Sequence, residues 1–468
     1  MNIDSIIDVH CHLFNVKYAL KEVAAITWNM ARSKYPHTLP PNLLKKRGIE
    51  KKSSEKPGLT EILEEAGDLI SYVARLVKVC KRDCKSNHSY MQKEFRLSSL
   101  GCNKNIIAVP LMMDIYYALD DNKHDLQSIT KRSAGEFGES VFDIGPDEID
   151  DFQDHLEILK SKVMEQLFTN DTNRAKISSL GSSKVIEDSE CTLDSIFNSI
   201  EEEFLKSPPR MRATNQYHGV EMSPGYKDHL EALEKLHAQM KGSIYPFLAV
   251  DPRRRGIMKL ITSKVNKKDG PFYGIKLYPP LGYLPSDPKL VPIFDYCQEN
   301  HIPITVHCSE GGVKNLKKKN YVHSTEDNYP REINKGDKSA FYAHPVNWKP
   351  VLNKWKDLRL NLAHFGGSVQ YSTDPGRKWM NTIKEILTDK NYKHVYTDLS
   401  YYVKTGSMDE ILANNQDIKE KIMFGTDYIM IMLEKELGGL KNYYNNFRNI
   451  DKAFLYENAK RFLGLDTL

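Results

Sequence analysis

The chain has 468 residues, 40% of them hydrophobic and 27% charged, with a formal net charge of +4. So slight a charge singles out no nucleic-acid partner, and no run of about 18 apolar residues offers a transmembrane helix. The 7 cysteines are odd in number and irregularly spaced, so they read as reduced thiols of a cytoplasmic protein rather than a disulfide framework.

The first element is a strand, SIIDVHC (5–11), whose apolar run ends in His10-Cys11-His12. Asp4, Asp8 and the absence of a basic start lead us to expect no signal peptide here. Residues i and i+2 of a strand share a face. His10 and His12 therefore point one way, with Asp8 a step deeper, and Cys11 points to the other face and is no ligand. Two imidazoles at a strand end suit a metal ion, although a lone His-x-His is weak evidence for one.

A long, charged and largely helical insertion (14–104) follows, including PGLTEILEEAGDLISYVARLVKVCKR (57–82) with apolar residues three and four apart. Cys80 and Cys84 lie one turn apart there, but nothing near them completes a zinc site. A second strand, NIIAVPLMM (105–113), leads into a second insertion (116–243). Its stretch 145–168 opens with acidic residues suited to a helix N-terminus, and its Ser-rich stretch 170–195 reads as a surface loop.

From there the pattern is regular. The runs IYPFLAV (244–250), FYGIKLY (272–278), IPITVHC (302–308), LRLNLAH (358–364), HVYTDLS (394–400) and KIMFGTD (421–427) are short, β-branched or aromatic, and apolar on both faces. Helical segments such as 287–300 and 376–390 separate them. Strands and helices alternating at roughly 30 residues per unit indicate a parallel sheet. With the two early strands they make eight, the number that closes a (β/α)8 TIM barrel in a single catalytic domain spanning 1–468. The insertions leave the C-terminal ends of strands one and two, where such barrels hold their active sites. They form either a cap over that face, the arrangement we expect, or padding on the barrel's side.

Strand five ends in His307, strand six in His364 and strand eight in Asp427. Burying such groups without partners costs several kcal/mol, so four polar strand ends at one mouth point to a shared metal centre. Imidazole and carboxylate donors suit Zn, and also Mn, Fe or Ni.

This set of residues resembles the amidohydrolase superfamily, and more narrowly its amidohydrolase-related branch of metal-dependent hydrolases and decarboxylases. The resemblance is carried by His-x-His on strand one, histidines on strands five and six, and Asp on strand eight. Supporting motifs are FLAVDPRR (247–254), YGIKLYPPLGY (273–283), AHPVNWKPVL (343–352), LNLAHFGGS (360–368), FGTDY (424–428) and YENAKRFLGL (456–465). It covers both ends of the chain and all of 244–468, but neither insertion. The resemblance implies that His10, His12, His307 and Asp427 hold the ion, that Asp427 shuttles a proton, and that His364 acts first in catalysis and second as a ligand. Lys276, in the K-L-Y-P context of strand four, is the ambiguous residue. Carbamylated, it would bridge two ions. Free, it would anchor substrate beside a single zinc-like ion, and it could also be a packed structural lysine.

Other candidates are less specific. Arg253, Arg254 and Arg255 read as a clamp for a substrate carboxylate or as an exposed basic turn. Tyr278 is a substrate contact or a packed ring, and Glu310 a mouth residue or a solvated one. His344 looks like a helix-start device, and Asp398 either orients a ligand or bonds to backbone. Lys314, Lys317, Lys318 and Lys319 read as a solvated face. The expected activity is hydrolysis of a C–N or C–O bond in a small carboxylated or cyclic substrate. A decarboxylase or hydratase is the alternative, and an inactive metal-binding scaffold the third reading. The partner expected is a small molecule rather than nucleic acid or membrane, with a homo-oligomer open.

Overall fold

The computed structural model describes residues 5–15, 18, 82–101, 104–119, 215–315, 319–324, 332–334, 341–367, 378–402, 408–434, 438–447 and 450–465. The chain divides into two compact units, one of 1–19, 79–137 and 214–468 and another of 20–78 and 138–213. The described residues belong to the first. The predicted helices at 57–82 and 145–168, the loop at 170–195, Cys80, Lys317 and Lys318 lie outside the described residues, apart from Arg82.

All eight predicted strands form. They are β1 (Ser5–Cys11), β2 (Asn105–Pro110), β3 (Phe247–Val250), β4 (Gly274–Leu277), β5 (Ile304–Ser309), β6 (Leu360–Gly366), β7 (Val395–Asp398) and β8 (Ile422–Met423). β3 to β8 make one parallel sheet in chain order, and β1 pairs β2 in parallel from Ser5↔Asn105. Two seams close the cylinder. Ala108 and Leu111 bridge in parallel to Ile244 and Phe247, joining β2 to β3. Val9 N donates to Phe424 O at 3.1 Å and Asp427 N to His10 O at 2.6 Å, joining β1 to the residues after β8. The described residues are thus built on a (β/α)8 TIM barrel.

Every residue of β3 to β8 is buried. Such strands cannot alternate apolar and polar residues, because the barrel interior and the outer helices are both dry. Ile7, Val9, Val109, Leu111, Phe247, Tyr396 and Met423 form one core with Phe462 and Leu463. Those last two belong to a helix, Asn458–Leu463, which stops at Gly464 with φ 70°. Each large side chain so buried contributes about 1.5–3 kcal/mol.

Two helices brace the exit from β1. Helix α1 (Cys84–Arg96), capped by Asp83, sends Cys84 Sγ to Leu13 O at 3.0 Å and Asn87 Nδ2 to Phe14 O at 3.3 Å. Helix α2 (Pro224–Gln239), capped by Ser223 with Pro at its first position, sends His229 Nε2 to Leu13 O at 3.1 Å. Leu13 follows His12 directly, so both helices fix the strand end that carries the paired histidines. A hairpin of 215–217 and 220–222 turns through His218 and Gly219, both at positive φ, which suits a two-residue hairpin loop. The end of the second insertion is therefore partly strand, a feature helical periodicity did not reveal.

Asp8 does not join the strand-end histidines. Its carboxylate accepts from His10 N at 3.1 Å, Thr426 N at 3.0 Å and Thr426 Oγ1 at 2.7 Å, clasping β1 to the segment after β8. Replacing it leaves buried donors unpaired. We predict that Asp8→Ala lowers folding stability by about 2–4 kcal/mol. Urea unfolding of wild type and variant measures this, and equal midpoints would refute the clasp.

Candidate metal centre

At the C-terminal ends of the strands the backbone leaves regular geometry. β1 carries an irregularity between Asp8 and Cys11, and β6 one between Ala363 and Gly366. His364, Phe365, Tyr401 and Asp427 all take positive φ, between 46° and 70°. Non-glycine residues adopt that region at a cost, and such strain gathers where side chains must be re-aimed. Here it turns His364 and Asp427 toward His10.

His10, His364 and Asp427 offer ligand atoms that all lie within 4.8 Å of one another, and all three residues are buried. His12 Nε2 comes within 3.5 Å of Asp427 Oδ1. Rings of His10 and His12 are 5.3 Å apart, His10 and His364 4.6 Å, and His307 and His364 4.8 Å. The five strand-end residues named from sequence therefore meet at one mouth, though unequally. His307 sits at the edge with both ring nitrogens engaged. Its Nδ1 meets His364 Nε2 at 3.1 Å, and its Nε2 meets Gly311 O at 2.9 Å and Ser309 Oγ at 3.1 Å.

The β7 end organises the imidazoles. Asp398 is fully buried, and its carboxylate accepts from His10 Nδ1 at 3.2 Å, Asn361 Nδ2 at 2.7 Å, His364 N at 3.1 Å, Ser400 N at 3.1 Å and Ser400 Oγ. Burial alone would raise its pKa, but His10, His364 and Ser400 reverse this and hold it well below the usual carboxylate range. His12 is oriented separately, its Nδ1 donating to Leu111 O at 2.9 Å. Both His10 and His12 thus use Nδ1 for the protein and direct Nε2 elsewhere, the arrangement metal-bound histidines show.

Three atoms test whether a cation fits. His10 Nε2, Asp427 Oδ1 and Lys276 Nζ are buried and have no hydrogen-bond partner in the protein. His10 Nε2 and Asp427 Oδ1, with a nitrogen of His364, give the imidazole and carboxylate donors that suit a divalent cation, while the Lys276 ammonium beside them is balanced by Asp398 and Asp427. Burial pushes the pKa values of His10, His12 and His364 down to about 3, so all three are neutral, as ligation requires. Burial also lowers Lys276 and raises Asp427, each shift being opposed by the other's charge.

Around the centre, Lys276 borders a small cleft lined also by Met112, Asp114, Asp251, Tyr278 and Tyr283. Tyr278 stacks on His307 at 4.6 Å, lies 5.7 Å from Lys276 Nζ, and accepts from Val313 N at 2.9 Å. The arginines are committed inside the protein. Arg253 Nε donates to Asp251 Oδ1 at 2.7 Å and its Nη1 to Leu281 O at 3.1 Å, while Arg254 pairs with Asp114. Arg255 is exposed beside Glu221, and Glu310 is exposed past the end of β5. His344 caps the turn it precedes, its Nδ1 accepting from Val346 N at 3.1 Å.

Ser400 and Gly425 escaped sequence reasoning. A Cβ on Gly425 would stand 2.8 Å from the Cβ of His10 and 3.0 Å from that of Ser400, so only glycine lets β1 and β7 close there. Their signals were the D-x-S at the end of strand seven and the glycine two residues before Asp427.

The sequence model of the family described as Amidohydrolase matches residues 203–465. No curated protein matches the chain. Among solved structures, 5-carboxyvanillate decarboxylase from Novosphingobium aromaticivorans, complexed with manganese and a nitrobenzoic acid, is 8% identical at a TM-score of 0.42, covering 98% of this chain and 96% of that one. An uncharacterised TIM-barrel protein from Bordetella bronchiseptica is 16% identical at 0.36, covering 51% and 73%. 4-Oxalomesaconate hydratase from Rhodopseudomonas palustris is 15% identical at 0.35, covering 52% and 72%.

Two predictions follow from the geometry. Gly425→Ala wedges β1 from β7 and should cost about 1–3 kcal/mol of stability and at least about tenfold in zinc affinity. Urea unfolding of the metal-free variant measures the first and calorimetric titration with zinc the second, and wild-type values in both would refute the close approach. The second concerns pH. His10, His12 and His364, and also His88 and His229 at about 4, refuse protons in the folded state that the unfolded chain accepts below about 6.5. Each of these histidines leaves stability unchanged above about pH 6.5 and lowers it by on the order of 2 kcal/mol at pH 5, while Asp8 and Asp427, which burial raises to about 7, offset part of that loss as they take up protons. Urea midpoints of metal-free protein at about pH 7.5 and pH 5 should differ strongly, and coincident midpoints would overturn the assignment of buried neutral imidazoles.

Proposed function

This chain belongs to the amidohydrolase family, and from that premise we propose that it is a metal-dependent lyase acting on a small carboxylated, conjugated substrate, most simply by decarboxylation. The observation that carries this reading is the pair of buried, unpartnered groups beside the histidines, Lys276 Nζ and Asp427 Oδ1. One is a cation ready for an oxyanion, and the other is a carboxylate oxygen able to bind a cation or carry a proton.

His10, His12, His307, His364 and Asp427 would supply the donors for a divalent cation, Zn or Mn by donor type, His307 Nδ1 and His364 Nε2 facing each other across 3.1 Å beside the cluster. When bound, the cation supplies positive charge that polarises a substrate oxygen. Lys276 receives the oxygen on which charge develops as the carbon–carboxylate bond breaks. The bonding electron pair flows into the conjugated system and returns to carbon as Asp427 delivers a proton there. Carbon dioxide leaves, and solvent restores the proton to Asp427. This reading keeps Lys276 as a free ammonium beside one ion. A carbamylated Lys276 with two ions is the competing state, which anomalous diffraction at the metal edge distinguishes.

Hydrolysis of an amide or lactone is the second reading. The 3.5 Å approach of His12 Nε2 to Asp427 Oδ1, without a hydrogen bond between them, favours it, since Asp427 there can take a proton from a water.

Zinc- and manganese-loaded protein should release carbon dioxide from a panel of hydroxybenzoates and muconate-like acids. Lys276→Met should lower kcat/KM by about 10²-fold or more, and Asp427→Asn should abolish turnover. Turnover confined to amides or lactones would replace the lyase with the hydrolase. Failure to bind either metal at micromolar concentration would replace both with a binding scaffold.

A further inference from the structure

We propose that Ser400 is a positioning residue that fixes His364 as its Nδ1–H tautomer and, with Asp398, leaves the Nε2 atoms of His10 and His364 as acceptors. Ser400 is 1% exposed. Its Oγ lies beside Asp398 Oδ1, 2.8 Å from His364 Nδ1 and 3.1 Å from His10 Nδ1. One hydroxyl therefore touches two members of the candidate cation cluster and the carboxylate behind them.

A serine hydroxyl has one hydrogen to give and lone pairs to offer. Asp398 is charged and takes that hydrogen, because a hydrogen bond to an ionised acceptor is about twice as strong as a neutral one. Oγ then presents a lone pair to His364 Nδ1, and that nitrogen must bring its own hydrogen. His10 Nδ1, facing Asp398 Oδ2 at 3.2 Å, must do the same. A neutral imidazole with hydrogen on Nδ1 has only a lone pair on Nε2.

An opposing pull comes from the far end of the string. Gly311 O lies 2.9 Å from His307 Nε2 and would draw a hydrogen there. His307 Nδ1 would then be an acceptor facing His364 Nε2 at 3.1 Å, which would require hydrogen on His364 Nε2. Neutral groups cannot satisfy both ends. The proposal gives the carboxylate end precedence: His307 donates from Nδ1 to His364 Nε2, and its Nε2 accepts from Ser309 Oγ at 3.1 Å and faces Gly311 O at 2.9 Å with no hydrogen between them. The assignment itself needs only the protein, while its effect on cation affinity rests on the metal-dependent reading above.

The test is 15N solid-state NMR of the metal-free full chain labelled in histidine, at a pH of about 7.5, with His364→Gln identifying the His364 signals. His364 should appear with hydrogen on Nδ1. Ser400→Ala should move it toward the Nε2–H form and weaken zinc binding about 10–100-fold. Ser400→Thr, which keeps the hydroxyl, should restore the tautomer. Hydrogen on His364 Nε2 in wild type overturns the proposal, as does a His364 tautomer that Ser400→Ala leaves unchanged. If Ser400→Ala fails to fold, the wild-type spectrum still decides. If wild type takes up no zinc, the metal reading fails while the tautomer result stands by itself.

Discussion

The centre depends on one buried carboxylate. Asp398 sits on β7 with no exposure to water, a position that is strongly unfavourable for an isolated charge. It is tolerable because donors from β1, β6 and its own strand end meet it together. That single group fixes the ring of His10, the backbone of His364 and the path of the chain into Ser400. Without it the imidazoles would have no common reference, and the strand ends would lose the contact that holds three of them in register.

Opposed to this satisfied hub is a set of groups left unsatisfied. His10 Nε2, Asp427 Oδ1 and Lys276 Nζ are as buried as Asp398 but find no partner in the protein. A fold that pairs Asp8, Asp251 and Asp114 internally is capable of pairing these too. Their shared location, at the mouth of a closed barrel beside a cleft, is therefore a chemical feature rather than a defect of packing. The arginines mark the contrast. Arg253 and Arg254 are engaged with carboxylates and aromatic faces, which leaves Lys276 as the buried cation bordering the cleft.

The backbone contributes as much as the side chains. Left-handed residues at the ends of β6, β7 and β8 and the irregularities in β1 and β6 break the alternation a straight strand would impose. Alternation placed Asp8, His10 and His12 on one face. In the barrel Asp8 instead clasps the seam to Thr426, and Gly425 gives the room that lets His10 and Ser400 approach.

The sequence by itself determined the eight strands, their order and the residues that end them. Each strand is apolar on both faces, a local pattern that burial in a parallel barrel enforces, and strands one, five, six and eight end in the polar residues of the centre. It pointed to the gathering of His10, His12, His307, His364 and Asp427 for the same reason, since buried polar strand ends need partners. The roles of His307, Arg253 and Ser400 were decided only by tertiary structure. His307 is engaged by Ser309 and His364, Arg253 by Asp251 and Leu281, and Ser400 by two imidazoles from strands far apart in the chain. A side chain's chemistry is local and legible, but whether its polar atoms are already occupied depends on neighbours that only folding brings within 3 Å or so.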